Sequence, residues 1–122
     1  MTPTPREIVR EYYAALDEHA YNALETLLGP EFVQHRPDRT FETRAAFIEF
    51  MRDGRPNPHT RHELDDVSLE RDEKGAATVV VHGRVLDEPT AGEGEAEPEL
   101  FAFTDRFYLD EERIVRLETS LR

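Results

Sequence analysis

The chain has 122 residues, no cysteine and a formal net charge of −12. This length fits one domain spanning 1–122, and the missing cysteines exclude disulfides, thiolate metal sites and cysteine nucleophiles. The excess of acidic side chains argues against nucleic acid and anionic membranes as partners, because both are polyanions. The sequence has no apolar run long enough for a signal peptide or a membrane span, which predicts a cytoplasmic protein.

The basic side chains are unevenly chosen, since Lys74 is the only lysine and all the others are arginines. Acid-rich, lysine-poor chains are typical of organisms that keep molar salt in the cytoplasm. At about 1 M salt the Debye length is about 3 Å, so repulsion between surface carboxylates largely vanishes. We therefore expect a halophilic protein that loses stability in low salt. The alternative is an acidic protein from an ordinary cytoplasm.

The N-terminal half predicts three helices. Thr4 is a suitable N-cap, Pro5 fits the first helical position, and Glu7 completes a capping box. Apolar side chains then recur at helical spacing. The predicted helices and their apolar stripes are 4–20 (Ile8, Val9, Tyr12, Tyr13, Leu16), 21–30 (Tyr21, Leu24, Leu27, Leu28, ended by Gly29-Pro30) and 42–54 (Phe47, Phe50, Met51, after the cap Thr43).

The C-terminal half alternates between apolar and polar residues, which predicts four long strands at 59–72, 76–86, 100–110 and 113–121. The apolar phase of the first slips between Leu64 and Val67, which predicts a bulge near Asp65-Asp66 that would bend the sheet. One face carries Phe101, Phe103, Phe107 and Leu109 in the third strand and Val115, Leu117 and Leu121 in the fourth. The acidic segment 87–99 has no apolar anchor and predicts a mobile hairpin loop.

Helices followed by strands indicate an α+β fold. Sequential hairpin strands predict a mostly antiparallel sheet, and a strongly curved sheet of this kind can wrap around the first helix. The predicted architecture is a cone-shaped α+β barrel, with three N-terminal helices packed on the sheet and a hollow between them.

The order of these elements resembles the nuclear transport factor 2-like superfamily, and within it the SnoaL-like group. The segments that carry the resemblance are "EYYAALDEHAYNALETLL", "FVQHRP" with "FETRAAFIEFM" after it, and "FAFTDRFYLDEERIVRLE". Together they cover nearly the whole chain. The resemblance implies a pocket at the wide end of the cone. It does not imply a single activity, since members include ketosteroid isomerases, polyketide cyclases, epoxide hydrolases and proteins without known catalysis.

Asp105 is the first candidate for a catalytic residue. It interrupts an aromatic face, where desolvation raises a carboxyl pKa and favours the neutral acid. A neutral acid can donate a hydrogen bond to a developing oxyanion. The resemblance to ketosteroid isomerases, in "FTDRF", places Asp105 at the position of their protonated aspartate. The alternatives are an ion pair with a neighbouring arginine, or an outward orientation if the register differs by one residue.

Tyr12 matches the first-helix tyrosine that supplies the second oxyanion donor in the isomerases. It also lies in an apolar stripe where aromatic side chains usually belong to the core, and its neighbour Tyr13 is an alternative pocket residue. His35, in "FVQHRP", lies where the isomerases carry their aspartate base. An imidazole can abstract a proton near neutral pH, so we predict His35 as the base; the alternative is an exposed loop histidine.

Other polar positions favour particular activities less strongly. His82 lies in mid-strand and either lines the pocket or is half-buried. His59 and His62 form H-x-x-H, but side chains three apart on a strand point to opposite faces, which argues against a metal site. A site made of His35, His82 and a carboxylate stays open. The SnoaL-like cyclases resemble one another in a late aspartate, for which this chain offers only Glu118.

Two functions from different classes follow. The first is a cofactor-independent isomerase or cyclase that abstracts a proton next to a carbonyl of a small apolar substrate. In it His35 is the base, and Tyr12 and Asp105 hold the enolate oxygen. The second is a non-catalytic module that binds a small ligand or acts as a scaffold, with the outer sheet face forming a homodimer. The further residues predicted to line the pocket are Tyr13, Phe32, Phe47, Phe50, His82, Phe101, Phe103, Phe107 and Glu118.

Overall fold

The computed structural model describes residues 3–54, 60–87 and 99–121. Three helices pack on one six-stranded sheet, which confirms the predicted α+β architecture. The helices are α1 (Pro5–Asp17), α2 (Tyr21–Leu27) and α3 (Arg44–Glu49), the last extended by a wider π-type turn (Phe50–Gly54). The strands are β1 (Leu28–His35), β2 (Thr40–Phe41), β3 (Thr60–Arg71), β4 (Ala77–Asp87), β5 (Glu99–Asp110) and β6 (Arg113–Leu121).

The strands lie side by side in the order β2-β1-β6-β5-β4-β3. All neighbours are antiparallel except β1 and β6, which pair in parallel. The sheet is therefore mostly antiparallel, as predicted, and its one parallel pair joins the short N-terminal strand to the last strand. This pairing brings the end of β1 beside the end of β6, where part of the site lies.

Four of the five strand pairs carry a register shift, one of them between Leu28 and Val33, where β1 pairs with β6. The other three lie in the long strands and bend the sheet. The pairing of β3 with β4 shifts between Leu64 and Asp66, which confirms the bulge predicted from the sequence. A second shift lies between Val85 and Leu86, where β4 pairs with β5. A third lies between Tyr108 and Leu109, where β5 pairs with β6.

The concave face of the sheet is covered by α1. Thr4 forms the predicted capping box with Glu7, and the predicted stripe of α1 is buried. In β4, next to the edge strand β3, Gly83 permits a close approach that no side chain would allow. A Cβ atom there would lie 2.8 Å from the backbone oxygen of Glu63 and 2.9 Å from the ring of Phe103. Without a side chain at Gly83, the Phe103 ring lies directly against the backbone of β4.

Several local predictions need correction. The second helix ends at Leu27, and Leu28 begins β1 because the apolar side chain is buried equally well from a strand. In β6 the third bulge changes the phase, so Ile114 and Leu117 are buried, whereas Val115 is only partly buried. Leu121 is exposed. Residues 88–98 of the loop predicted at 87–99 lie outside the described residues. His59, within 55–59, lies outside them too.

No helix in the described part of the chain has the length and apolar character needed to cross a membrane.

Candidate active site

A partly open cavity of about 260 Å³ lies between α1 and one end of the concave sheet face. Its walls come from α1, the end of β1, the α3 turn and four strands. They are mostly apolar, with a few polar groups among them, which is the usual composition of a small-molecule site. The described residues that line it are Tyr12, Tyr13, Leu16, Gln34, Arg36, Phe50, Met51, Thr60, His62, Val85, Leu100, Phe101, Phe103, Asp105 and Thr119.

Asp105 is the buried centre of a polar network in this wall. It is only 5% exposed, and β5 directs it inward together with Phe103 and Phe107. The Tyr13 hydroxyl donates to Asp105 Oδ2 over 2.5 Å, and the Thr119 hydroxyl donates to Oδ1 over 2.6 Å. Gln34 Nε2 donates in turn to Thr119 Oγ1 over 2.9 Å. The network thus links α1, β5, β6 and β1 across the floor of the cavity.

Burial raises the pKa of Asp105. Hydrogen bonds from Thr119 and Tyr13, and the nearby His62 and Arg36, act in the opposite direction but do not outweigh the burial. The pKa of the Tyr13 phenol is raised well above its usual value, chiefly by burial and next by the Asp105 carboxylate. Tyr13 is therefore held as a neutral phenol, and the acid form of Asp105 is favoured.

The protonation of Asp105 decides which way the Tyr13 hydroxyl can point. An ionised carboxylate only accepts, so it takes the hydrogens of both Tyr13 and Thr119. A neutral Asp105 carries its own hydrogen and donates it to one of these two oxygens. When that oxygen belongs to Tyr13, the phenol hydrogen is released toward the cavity. The pair then offers a hydrogen-bond donor to an oxygen of a bound molecule.

His62 and Asp17 form a second polar pair in the cavity wall. His62 Nδ1 lies 2.7 Å from Asp17 Oδ1, and the backbone N–H of His62 donates to Asp17 Oδ2 over 3.1 Å. The imidazole packs against the rings of Tyr13 and Phe103, with centroids 5.2 and 5.9 Å away. Because Asp17 engages Nδ1, the ring is fixed and Nε2 is the nitrogen left for proton transfer.

Six of the predicted site residues line the cavity: Asp105, Tyr12, Tyr13, Phe50, Phe101 and Phe103. The tyrosine bonded to Asp105 is Tyr13, whereas Tyr12 is 2% exposed and packs its ring against Phe47 and Phe107. Both tyrosines therefore line the cavity, and Tyr13 is the one whose hydroxyl donates to the Asp105 carboxyl. Asp105 points inward, so the outward orientation considered for it is excluded.

The other predicted positions lie away from the cavity. His35 is exposed, with Nδ1 3.3 Å from the Thr40 hydroxyl, because β1 directs its neighbour Gln34 inward. His82 contacts Thr104 on the outer sheet face, since Val81 is the residue that opposes Asp105.

Glu118 also lies on the outer face of the sheet, where it accepts hydrogen bonds from Tyr108 and Arg116. Phe32, Phe47 and Phe107 are completely buried in the core, so they do not line the cavity as predicted.

The sequence reasoning missed His62, Asp17, Gln34, Arg36 and Thr119. His62 was considered only as half of an H-x-x-H pair, and Asp17 only as part of the first helix. A usable signal exists for Gln34, because period-2 alternation from the buried Phe32 directs it inward. A usable signal also exists for Asp17, because it follows Tyr13 by one helical turn and so lies on the same face of the helix.

Within 3–54, 60–87 and 99–121, no group of three or more His, Cys, Asp or Glu side chains is arranged to hold a metal ion. The site considered for His35, His82 and a carboxylate does not assemble there. Two strands, β6 and β5, separate the strands that carry the two histidines.

Comparison with solved structures defines the class of fold. A nuclear transport factor 2-like protein from Novosphingobium aromaticivorans superposes with a TM-score of 0.79 at 19% identity, covering 95% of this chain and 78% of the other. A candidate ketosteroid isomerase from Kribbella flavida gives 0.72 at 13%, covering 96% and 76%. A candidate SnoaL-like polyketide cyclase from Jannaschia sp. gives 0.73 at 15%, covering 99% and 90%. The fold is the nuclear transport factor 2-like cone.

The family follows from the sequence itself. Residues 9–117 match the SnoaL-like domain, and the chain belongs to that family, as its segments predicted. No curated protein sequence matches the chain. The likeness to the solved structures shows the fold alone, so any activity has to be argued from the side chains in the cavity.

Proposed function

We propose that this protein is a cofactor-independent isomerase or cyclase that removes a proton next to a carbonyl group of a small, mostly apolar molecule. The observation that carries the proposal is the convergence on one apolar cavity of a buried acid bonded to a phenol and an imidazole oriented by a carboxylate. A donor and a base facing one cavity are the two parts that enolisation requires.

The Tyr13–Asp105 pair is the proposed binding site for the carbonyl oxygen. When the base takes the α-proton, the C–H electrons move into the carbonyl group and its oxygen becomes an enolate. A phenol hydrogen bond backed by neutral Asp105 is strengthened as that charge develops. The apolar rings around the pair exclude water and increase the strength of such a bond.

His62 is the proposed base, in place of the sequence-based choice His35. Asp17 holds its Nδ1, which fixes the orientation of the ring and stabilises the imidazolium that forms when Nε2 accepts the proton. The imidazolium then returns the proton to another carbon of the substrate in an isomerisation. In a cyclisation the enolate carbon instead attacks a second carbonyl of the same molecule, whose C=O π electrons move to its oxygen, and that alkoxide takes the proton back from the imidazolium.

The structural relatives support this proposal at the level of chemistry. Two of the solved structures on this fold are described as a candidate ketosteroid isomerase and a candidate polyketide cyclase. Both descriptions concern carbonyl compounds. The cavity of about 260 Å³ is slightly smaller than the usual range for ligand pockets, about 300–1,000 Å³, which favours a molecule of one or two rings.

The test is exchange of α-protons in heavy water, followed by NMR on 2-tetralone and 1-indanone. We expect the protein to accelerate exchange above the buffer rate. Tyr13→Phe should slow it by about 10²–10³-fold because an oxyanion donor is lost, and His62→Ala by about 10²–10⁴-fold because the base is lost. His35→Ala is the matched control, since that imidazole lies outside the cavity and its removal should leave the rate unchanged.

Two results would contradict the proposed function or the role given to His62. Exchange at the buffer rate for both ketones, although both bind, would contradict the enzyme proposal and favour the alternative of a ligand-binding module. A loss of rate in His35→Ala with none in His62→Ala would restore the sequence-based base and contradict the role given to His62.

A further inference from the structure

Two polar atoms in the cavity wall have no hydrogen-bond partner. Among the described residues, neither Gln34 Oε1 nor Arg36 Nη1 is bonded, and both atoms are buried. Gln34 as a whole is only 3% exposed, and both side chains line the cavity. Buried polar groups in native proteins are almost always paired, so an unpaired acceptor and an unpaired donor in one wall indicate a ligand that satisfies them.

The orientation of the Gln34 amide follows from the network behind it. The Thr119 hydroxyl gives its hydrogen to Asp105, so it can only accept from Gln34, and Nε2 must face it. This leaves Oε1 as a carbonyl acceptor with no partner. An acceptor selects for a ligand group that donates, such as a hydroxyl or an amine N–H.

Arg36 forms no direct ion pair at this site, although its charge acts on the Asp105 carboxyl in the same cavity wall. None of the ion pairs among the described residues includes it, and its guanidinium lies over the rings of Phe41 and Phe50, at 5.9 and 5.8 Å. The protein as a whole is strongly acidic, with a net charge of −12. In such a chain an arginine that faces a cavity without a salt bridge indicates an anionic ligand group, and a carboxylate fits its planar fork.

We propose that the cavity binds a molecule with an apolar body and a polar head that combines a carboxylate with a neighbouring hydroxyl. The carboxylate binds Arg36, and the hydroxyl donates to Gln34 Oε1. The two residues are two apart in sequence, so their Cα atoms are about 7 Å apart and their side chains can serve neighbouring groups of one head. The inference rests on the proposed function in taking this cavity as the substrate site, and it narrows the substrate to a carbonyl compound whose polar head also carries a carboxylate and a neighbouring hydroxyl.

Three matched probes test the head group: mandelate, phenylacetate and 1-phenylethanol. Phenylacetate lacks the hydroxyl of mandelate, and 1-phenylethanol carries a methyl group in place of the carboxylate. Titration calorimetry at about 0.15 M salt, where the Debye length is about 8 Å, limits the influence of the overall charge. We expect mandelate to bind at least about tenfold more tightly than 1-phenylethanol, since a charge-assisted hydrogen bond to Arg36 is lost in the alcohol.

Two variants test separately which residue binds the carboxylate and which binds the hydroxyl of the polar head. Arg36→Met should weaken mandelate and phenylacetate by about tenfold or more and leave 1-phenylethanol unchanged. Gln34→Met should weaken mandelate relative to phenylacetate and remove the preference between them. Arg39→Met is the matched control, because that guanidinium also lies over Phe50, at 4.8 Å, but does not line the cavity. It should change each affinity by less than about twofold.

The same measurements can overturn the proposal. Equal binding of mandelate and 1-phenylethanol, or equal losses in Arg36→Met and Arg39→Met, would contradict it. If Arg36→Met does not fold, Arg36→Lys replaces it: the lysine keeps the charge without the fork, and unchanged mandelate binding would contradict a bidentate carboxylate contact. Binding does not depend on turnover, so mandelate binding by the original protein, together with α-proton exchange at the buffer rate in the same protein, would contradict the proposed reaction alone.

Discussion

The two ends of the concave sheet face are built from the same strands but carry different side chains, apolar at one end and polar at the other. At the closed end β1, β5 and β6 contribute Phe32, Phe107 and Leu117, each with no exposed surface. Two residues further along β1 and β6, and two residues earlier along β5, the same face carries Gln34, Thr119 and Asp105. A dry core and a polar cavity floor therefore lie about 7 Å apart, the length of two strand residues.

This difference separates the residues that pack the core from the residues that line the cavity. The closed end is filled by aromatic rings in contact, such as Phe32 with Phe47 at 5.2 Å. At the open end the neighbouring layer leaves a hollow and surrounds it with hydrogen-bonded groups. Substitutions at the closed end should therefore change stability, whereas those at the open end should change binding and ionisation.

The largest expected effect is on the closed end. Phe107→Ala should lower the free energy of unfolding by about 3–5 kcal/mol, because it leaves a cavity among rings that cannot collapse. Phe50→Ala removes the same ring from a half-buried position at the cavity and should cost clearly less. Urea unfolding followed by circular dichroism measures both. Equal losses at the two positions would show that the two ends are not packed differently.

A smaller effect on stability is expected at Gly83, which pairs with the cavity residue Phe103 at the open end. Gly83→Ala should destabilise the protein by about 1–3 kcal/mol, because the new Cβ would press on the backbone of Glu63 and the ring of Phe103. Gly29→Ala serves as the comparison, since its Cβ would meet only side-chain atoms at 3.2 Å, which can shift. The same urea titration distinguishes them, and a neutral Gly83→Ala would mean that the strands relax freely there.

The smallest expected effect is a pH dependence confined to the open end. Burial raises the pKa of Asp105 in the folded state above that in the unfolded chain. Its contribution to stability is therefore complete below the ordinary aspartate pKa and is lost as the pH rises through the folded-state pKa. Asp105→Asn cannot ionise, so its stability should rise relative to the original protein as the pH rises.

Urea unfolding between about pH 3 and about pH 8 starts below the ordinary aspartate pKa of about 3.9 and reveals that trend. Asp53→Asn, at an exposed side chain, is the matched substitution, and the trend should be specific to Asp105. A constant difference between Asp105→Asn and the original protein at every pH would contradict the raised pKa.

The sequence was sufficient for the parts of the fold that depend on local pattern. The capping box at Thr4, the inward face of β5 and the bulge at Asp65 follow from spacing alone, and the structure contains all three. The phase of β6 did not follow, because the bulge that displaces Val115 depends on how β5 and β6 pair. Local alternation carries no information about such a shift.

The candidate site was predictable only in part, for the same reason. Asp105 was found because it interrupts an aromatic face of its own strand. Its partners Tyr13 and Thr119 lie 92 and 14 residues away, and His62 meets Asp17 across 45 residues. These contacts depend on the packing of α1 against the sheet, which no short motif in the sequence encodes. His35 was chosen from a resemblance in position, although the alternation of β1 already directed it outward.

The position of Asp17 on α1 has a consequence for the timing of any reaction. Tyr13 and Asp17 lie one turn apart on the same rigid helix, so their Cα atoms are held about 6 Å apart. In the proposed reaction Tyr13 donates to the substrate oxygen, and Asp17 orients the base His62. The distance between the proposed donor and the proposed base is thus fixed when the protein folds. Substrate binding therefore needs little further reorganisation of the site.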